Sequence, residues 1–143
     1  MSDKKIILTE EQLYNIICGV VGDDSSLMEY ARVGFIDNKL EVYVMTDDPG
    51  HVPHFHLRDV KTKGQEFDTC IEIMRSKYFI HGHHNDTLNA KGKKALAEFM
   101  EAKCPNEKYE NNYELTVDMW NMNNSSMNVP YVKGQEIPNY RLL

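Results

Sequence analysis

The chain has 143 residues, 41% of them hydrophobic and 27% charged, a composition typical of one folded domain rather than of a disordered segment. A net charge of −6 disfavours the basic surface that nucleic-acid-binding proteins use, so we expect no nucleic-acid partner. The sequence has no apolar run near the ~20 residues that cross a bilayer and no apolar signal-peptide region near its start, so we expect a cytoplasmic protein without a membrane segment.

The first predicted element is a helix over residues 10–22. Thr9 and Gln12 match the spacing of a capping box, a motif in which two side chains satisfy backbone donors at the start of a helix. Apolar residues then repeat at helical spacing, at Leu13, Ile16, Ile17, Val20 and Val21. Gly22 ends the pattern.

Residues 27–73 change to the alternating pattern of β-strands, and we predict four strands in an antiparallel meander. Asp37–Asn38 is the turn between the first two strands. The third strand is predicted at Pro53–Asp59 and the fourth at Phe67–Ile73.

Two helices are predicted within residues 90–123, the first of them capped by Asn89. Residues 125–143 contain no periodic element and form an extended tail, either a strap across the domain or an arm for a partner. The order predicts a single α+β domain over residues 1–143: an N-terminal helix, a four-stranded antiparallel meander, two C-terminal helices packed on one face and the tail.

All six histidines lie between His51 and His84, in two short clusters. In the predicted third strand, His54, His56 and Arg58 share one face, and the apolar residues between them share the other. We expect the apolar face to line the core, so that the two imidazoles stand side by side facing solvent. A His-x-His pair on a strand can direct two nitrogens at one ion, which is typical of metal sites.

In the fourth strand, Asp68, Cys70 and Glu72 occupy alternate positions and therefore share one face. If the opposite, apolar parity faces the core, both carboxylates project on the side of the imidazoles. There a carboxylate could ligate a metal, orient a histidine or pair with Arg58. A nucleophilic pairing of Cys70 with His56 would depend on strand register, which the sequence does not give. The three cysteines (Cys18, Cys70 and Cys104) are expected to be buried free thiols.

The second cluster occupies a loop from His81 to Asp86. The sequence suggests two overlapping sets of site residues. The binding set is His54, His56, Arg58 and Glu72, and the metal set is His54, His56, His83 and Asp86, for a divalent ion such as zinc, iron or manganese. The alternative is that these histidines only hydrogen-bond to neighbours. Known catalytic motifs, among them H-E-x-x-H and G-x-S-x-G, are absent, so no catalytic residue is assigned.

The stretch TDDPGHVPHFHL at residues 46–57 resembles the signature of a small bacterial family known as domain of unknown function 4160. The likeness extends from Val33 to Asn123, and the sequence adds an N-terminal helix, the His81–Asp86 loop and the Ser125–Leu143 tail. The chain also looks like uncharacterised proteins of gut bacteria and their phages. The family has no agreed activity, but its members are often encoded beside small partner domains, in toxin–antitoxin-like arrangements. The resemblance therefore implies a binding or regulatory role.

Three functions follow as hypotheses. The first is a non-enzymatic interaction or regulatory module that uses the His54/His56 face and the tail against a protein partner. The second is a metal-dependent hydrolase that uses the two histidines, His83 and a carboxylate such as Asp86 or Glu72. The third is a structural protein that self-assembles through its tail.

Overall fold

A computed structural model describes residues 30–46, 52–124 and 128–143. The predicted helix over residues 10–22 lies outside the described residues, and so do His51 and residues 27–29 of the predicted sheet. In the described ranges, no helix is both long enough and apolar enough to cross a membrane. The described elements, a β-sheet and two α-helices, confirm the α+β class.

Four strands form one antiparallel sheet in which each strand pairs with the next along the chain, which confirms the predicted meander. The strands are β1 (Tyr30–Ile36), β2 (Leu40–Met45), β3 (His54–Asp59) and β4 (Asp68–Glu72). Every residue of β4 and the first four residues of β3 are buried, so both parities of these two strands are covered. The sheet is therefore enclosed on both faces where β3 and β4 pair.

The β1–β2 hairpin turns at Asp37 and Asn38, as predicted. Their φ angles are 52° and 57°, and the Lys39 N–H donates to the Ile36 carbonyl at 2.9 Å. Two successive left-handed residues are typical of the type I′ turn, whose twist matches that of the paired strands. Asp and Asn tolerate this region better than most residues, which explains why the local sequence predicts the turn.

The connection from β3 to β4 is organised by the Asp59 carboxylate. It accepts hydrogen bonds from the Thr62 hydroxyl at 2.6 Å and from the backbone N–H groups of Gly64 and Phe67 at 3.0 and 3.1 Å. The hydrogen bond from the Thr62 side chain is the main reason that the pKa of Asp59 falls to about 2, and the backbone donors add to it. The turn sets the register in which β4 pairs with β3.

Two helices follow the sheet, α1 (Ala90–Glu101) and α2 (Asn112–Asn123). Asn89 caps α1, as predicted, since its side-chain oxygen accepts the Gly92 N–H at 2.8 Å. Asn111 caps α2 in the same way. Apolar side chains of the sheet and of both helices join in one buried core that contains Val42, Val44, Phe55, Leu57, Ile71, Leu96, Met100 and Trp120.

The C-terminal residues 128–143 fold back onto the domain and end in a short 3₁₀ helix, Tyr140–Leu142. Tyr140 is fully buried, and its hydroxyl donates to the Ile73 carbonyl at 2.8 Å. The Tyr113 hydroxyl donates to the same carbonyl at 3.1 Å. Of the two alternatives for the tail, the strap is the one that these contacts support.

Candidate metal centre

Strand register brings the chemically active side chains of β3 and β4 onto one face of the sheet. The opposed pairs are His54 with Glu72, His56 with Cys70, and Arg58 with Asp68. Directly opposed residues of an antiparallel pair project to the same side. The predicted placement of the two carboxylates of β4 on the side of the imidazoles is therefore confirmed.

The prediction that His54 and His56 face solvent is wrong. Their exposed fractions are 0% and 2%. Other rings lie against them: the centroid of Phe79, in the segment after β4, is 4.6 Å from that of His54, and the centroid of Trp120 is 5.4 Å away. An imidazole ring is apolar over most of its surface, so it can be buried among aromatic rings when its nitrogens find polar partners.

A backbone hydrogen bond fixes the tautomer of His54. Its Nδ1 lies 2.8 Å from the Val52 carbonyl oxygen. Because a carbonyl can only accept, Nδ1 carries a proton, and in the neutral ring the lone pair is on Nε2. Metal-binding histidines are commonly oriented by such a bond from the second ring nitrogen. His54 is therefore held in a form that can ligate through Nε2.

The Cys70 thiol lies between two imidazoles. Its Sγ is 3.1 Å from His56 Nδ1 and 3.3 Å from His81 Nε2. His81 reaches this position because the segment that carries it runs beside β4, where the Phe79 N–H donates to the Cys70 carbonyl at 2.9 Å. One ligand atom from each of four residues lies within 4.8 Å of all the others. We name these residues, His54, His56, Cys70 and His81, the inner set.

A second group consists of His56, Asp68 and His84, and its ligand atoms also lie within 4.8 Å of one another. We name it the outer set. His84 Nδ1 lies 2.6 Å from Asp68 Oδ1. The backbone of this segment is tied to the strand, since the Asp68 N–H donates to the Asp86 carboxylate at 2.8 Å and the Asp86 N–H donates to the Asp68 carbonyl at 3.0 Å. The segment that carries His84 is therefore held beside β4, next to Asp68.

Burial lowers the pKa of His56 well below its ordinary value, and the nearby imidazoles of His54, His84 and His81 lower it further. A neutral imidazole is the form that binds a metal ion. Tyr43 of β2 stacks on the His56 ring, with centroids 4.9 Å apart and an interplanar angle of 20°. Burial also raises the pKa of Tyr43, so its hydroxyl stays neutral beside the cluster.

Arg58 and Glu72, predicted as binding residues, are engaged in ion pairs beside the cluster. The Glu41 carboxylate accepts from Arg58 Nε at 2.8 Å and from Arg32 Nε at 2.9 Å. Glu72 accepts two hydrogen bonds from the Arg75 guanidinium, at 2.8 and 3.1 Å. Arg58 and Glu72 therefore flank the ligand sets and belong to neither of them.

Only two of the four predicted metal ligands belong to a ligand set. His54 and His56 belong to the inner set, whereas His83 and Asp86 belong to neither set. The His83 side chain is 79% exposed, and its Nε2 lies 3.6 Å from Asp68 Oδ2. The sequence predicts Cys70 as a buried thiol outside any disulfide, which the structure confirms, but it does not identify Cys70 as a ligand.

The metal set predicted from the sequence also lacks His81 and His84. The shared parity of Cys70 with Asp68 in β4 was a signal that could have identified the thiol. The two loop histidines had no such signal, because their positions depend on how the segment after β4 folds.

Three imidazoles and one thiol make the inner set a nitrogen and sulfur donor set, which zinc prefers in proteins. Two imidazoles and one carboxylate make the outer set a nitrogen and oxygen donor set, which suits iron or manganese. In comparisons with known proteins, no family model, curated protein or solved structure matches the chain. The resemblance of residues 46–57 to domain of unknown function 4160 stays a prediction.

Proposed function

We propose that this protein is a metal-binding module that holds a divalent transition-metal ion, zinc above all, in the inner set. The observation that carries the proposal is the convergence of four ligand atoms within 4.8 Å of one another. Neighbouring ligand atoms of a tetrahedral zinc site lie ~3.3–3.6 Å apart, given bonds of ~2.0–2.3 Å. The distances from Cys70 Sγ to His56 and His81, 3.1 and 3.3 Å, are already close to that spacing.

A structural or regulatory role fits the inner set better than a catalytic one. Four protein ligands complete the coordination of zinc and leave no position for water or substrate, which is typical of structural sites. Two of the ligands lie on β3, one lies on β4 and His81 lies on the segment that follows. An ion at this place would tie that segment to the sheet, so metal binding would be linked to folding of the segment.

The metal-dependent hydrolase receives less support. The carboxylates considered for it have other partners, since Asp86 accepts the Asp68 N–H and Glu72 pairs with Arg75. The side chain of His83 is 79% exposed, and it belongs to neither ligand set. A hydrolase would also need an open coordination position, which a fully ligated inner set does not provide.

The thiol ligand of the proposed site is relevant to where in the cell the protein is located. A thiolate ligand has to stay reduced, and the cytoplasm keeps cysteine thiols reduced. We therefore retain the cytoplasm as the proposed location. Neither Cys70 nor Cys104 forms a disulfide, which is consistent with a reducing compartment.

A contact with a protein partner is our second candidate function. Met74 and Ile80 lie on the segment between β4 and His81, and they are 48% and 60% exposed. Exposed apolar side chains on a segment that a metal ion would hold in place could form a metal-dependent contact. Self-assembly through the tail receives less support, because Tyr140 is fully buried in its own chain.

The test uses protein purified without a polyhistidine tag and stripped of metal with a chelator. Zinc is added in a calorimetric titration, and bound zinc is counted by elemental analysis after gel filtration. We expect one zinc ion per chain, a higher Tm and slower amide hydrogen exchange in residues 77–84. Ligand binding to the folded state at 100 times Kd stabilises it by about 2.7 kcal/mol.

Two variants make this test specific. His81→Ala removes a ligand of the inner set, and we expect it to lose tight zinc binding. His83→Ala is the matched control, because His83 belongs to the same loop but to neither set, and it should bind zinc like the wild type. If the wild type binds no zinc, or if His81→Ala binds it equally well, the proposal is wrong.

A further inference from the structure

His56 belongs to both ligand sets, and no other residue does. A neutral imidazole has one nitrogen lone pair, because the other ring nitrogen carries a proton. It can therefore ligate one ion at a time, and to bridge two ions it would have to lose its second proton. A chain that uses His56 in the inner set has only Asp68 and His84 left for the outer set.

The inner set suits a thiophilic ion. Its thiolate and imidazole donors favour zinc and are poor ligands for manganese, which prefers carboxylate, carbonyl and water oxygens. Its members other than His81 are fully or almost fully buried, with exposed fractions of 0% for His54 and Cys70 and 2% for His56. That enclosure leaves little access for the water ligands that a six-coordinate ion would add.

The outer set suits a harder ion. Two imidazoles and a carboxylate are the donors of three-ligand sites that bind iron(II) and leave positions open for water or substrate. The His84 side chain is 18% exposed, and the more exposed His83 lies 3.6 Å from the second oxygen of Asp68. This side of the cluster is therefore nearer to solvent than the inner set.

We propose that the two sets are alternatives, that the chain holds one ion at a time, and that the identity of the ion decides which set binds it. Zinc takes the inner set, and manganese or iron(II) takes the outer set. Zinc then displaces manganese, because it removes His56 from the outer set. This inference rests on the proposed zinc site, and it adds a second metal specificity to the same protein.

Manganese is the probe for the outer set, because its free aqua ion gives a paramagnetic resonance signal that weakens when it binds to protein. Metal-free protein is first saturated with manganese, and zinc is then added up to one equivalent. We expect manganese to be released as zinc binds, in a ratio near one to one. Native mass spectrometry should find one metal ion per chain throughout the titration.

Single substitutions separate the two sets. Asp68→Asn should weaken manganese binding by at least the ~10–100-fold that loss of a group supporting a metal ligand costs, with zinc binding changed much less. Cys70→Ala should do the reverse. Glu72→Gln is the matched control, because Glu72 lies on the same face of β4 but in neither set, and it should change neither affinity. Circular dichroism checks that each variant is folded.

The outcomes distinguish this inference from the proposed function. If one chain binds zinc and manganese together, the two sets are not alternatives and this inference is wrong, but the proposed zinc site is unaffected. The same holds if the wild type binds zinc but not manganese, or if Asp68→Asn binds manganese as tightly as the wild type. Failure of the wild type to bind zinc would overturn both proposals.

Discussion

His56 and Cys70 lie directly opposite each other on β3 and β4, and His56 Nδ1 is 3.1 Å from Cys70 Sγ. This contact is a consequence of strand register, since a slip of one residue would move Cys70 to the other face of the sheet. The turn around Asp59 holds that register through its hydrogen bonds to Thr62 and Gly64. A thiol whose neighbours in the sequence predict only burial thus becomes a candidate metal ligand.

The first prediction concerns this thiol as a zinc ligand. Cys70→Ala should lower the zinc affinity by more than ~100-fold, since loss of a group that merely supports a ligand already costs ~10–100-fold. With cobalt(II) in place of zinc, the near-ultraviolet absorption of a thiolate–cobalt bond should appear in the wild type and be missing in the variant. Titration calorimetry and absorption spectroscopy measure the two effects.

Cys104→Ala is the control for this prediction. Cys104 is 2% exposed, so both substitutions remove one buried thiol, but Cys104 belongs to neither ligand set. Its variant should keep both the zinc affinity and the cobalt absorption. Equal losses in the two variants would mean that Cys70 acts through packing and not as a ligand.

The second prediction is a pH dependence of the metal-free protein. Burial and the neighbouring imidazoles hold the pKa of His56 well below 6.5 in the folded state. In the unfolded chain the pKa is ordinary, so below about pH 6.5 the unfolded state binds a proton that the folded state does not. The free energy of unfolding should therefore fall as the pH drops from about 7.5 to 5.5, by up to about 1.4 kcal/mol per pH unit for this group. Above about pH 7.5, His56 is neutral in both states and does not change the free energy of unfolding.

Urea denaturation in the presence of a chelator measures this dependence. His56→Gln should reduce the slope of the free energy of unfolding against pH by up to the ~1.4 kcal/mol per pH unit that one proton contributes, because glutamine does not titrate. If the slope is the same in the wild type and in His56→Gln, the folded state does not disfavour the charged form of His56.

Much of the fold could be predicted because its signals are local. The type I′ turn requires left-handed residues at Asp37 and Asn38, and these are residue types that accept that conformation. The cap at Asn89 depends on a contact with Gly92, only three residues away. The α+β class then follows from the order of such elements along the chain.

The site could be predicted only in part, because its remaining members depend on long-range packing. Alternation in β3 places His54 and His56 together on one face, but it does not reveal what covers that face. The cover includes Phe79 and His81, which contact the His54 ring. Their segment is held by backbone bonds to β4, such as that from Phe79 to Cys70, and no periodic pattern of side chains encodes such bonds.

The third prediction concerns the buried carbonyl of Ile73, which holds the C-terminal strap. It accepts from the hydroxyl groups of Tyr113 and Tyr140, at 3.1 and 2.8 Å. Tyr113→Phe or Tyr140→Phe alone should each cost ~0.5–1.5 kcal/mol, because one donor still satisfies the carbonyl. The double variant should cost more than the sum, since an unsatisfied buried acceptor adds a desolvation penalty of ~1–3 kcal/mol. Urea denaturation of the four proteins gives the coupling, and strictly additive losses would contradict it.

The fourth prediction concerns the close approach of α1 to β1 at Gly34. A Cβ atom at this position would lie 3.0 Å from Cζ and 3.1 Å from Cε1 of the Phe99 ring. Gly34→Ala should therefore lower the free energy of unfolding, because the half-buried Phe99 ring has to move to make room for the added methyl group. In a Phe99→Leu background the aromatic ring is gone, so the same substitution should cost less. Urea denaturation of the two single variants and the double variant measures the difference. Independent sites give additive costs within ~0.3–0.5 kcal/mol. If Gly34→Ala costs the same in both backgrounds within that range, the Phe99 ring is not the cause of the loss.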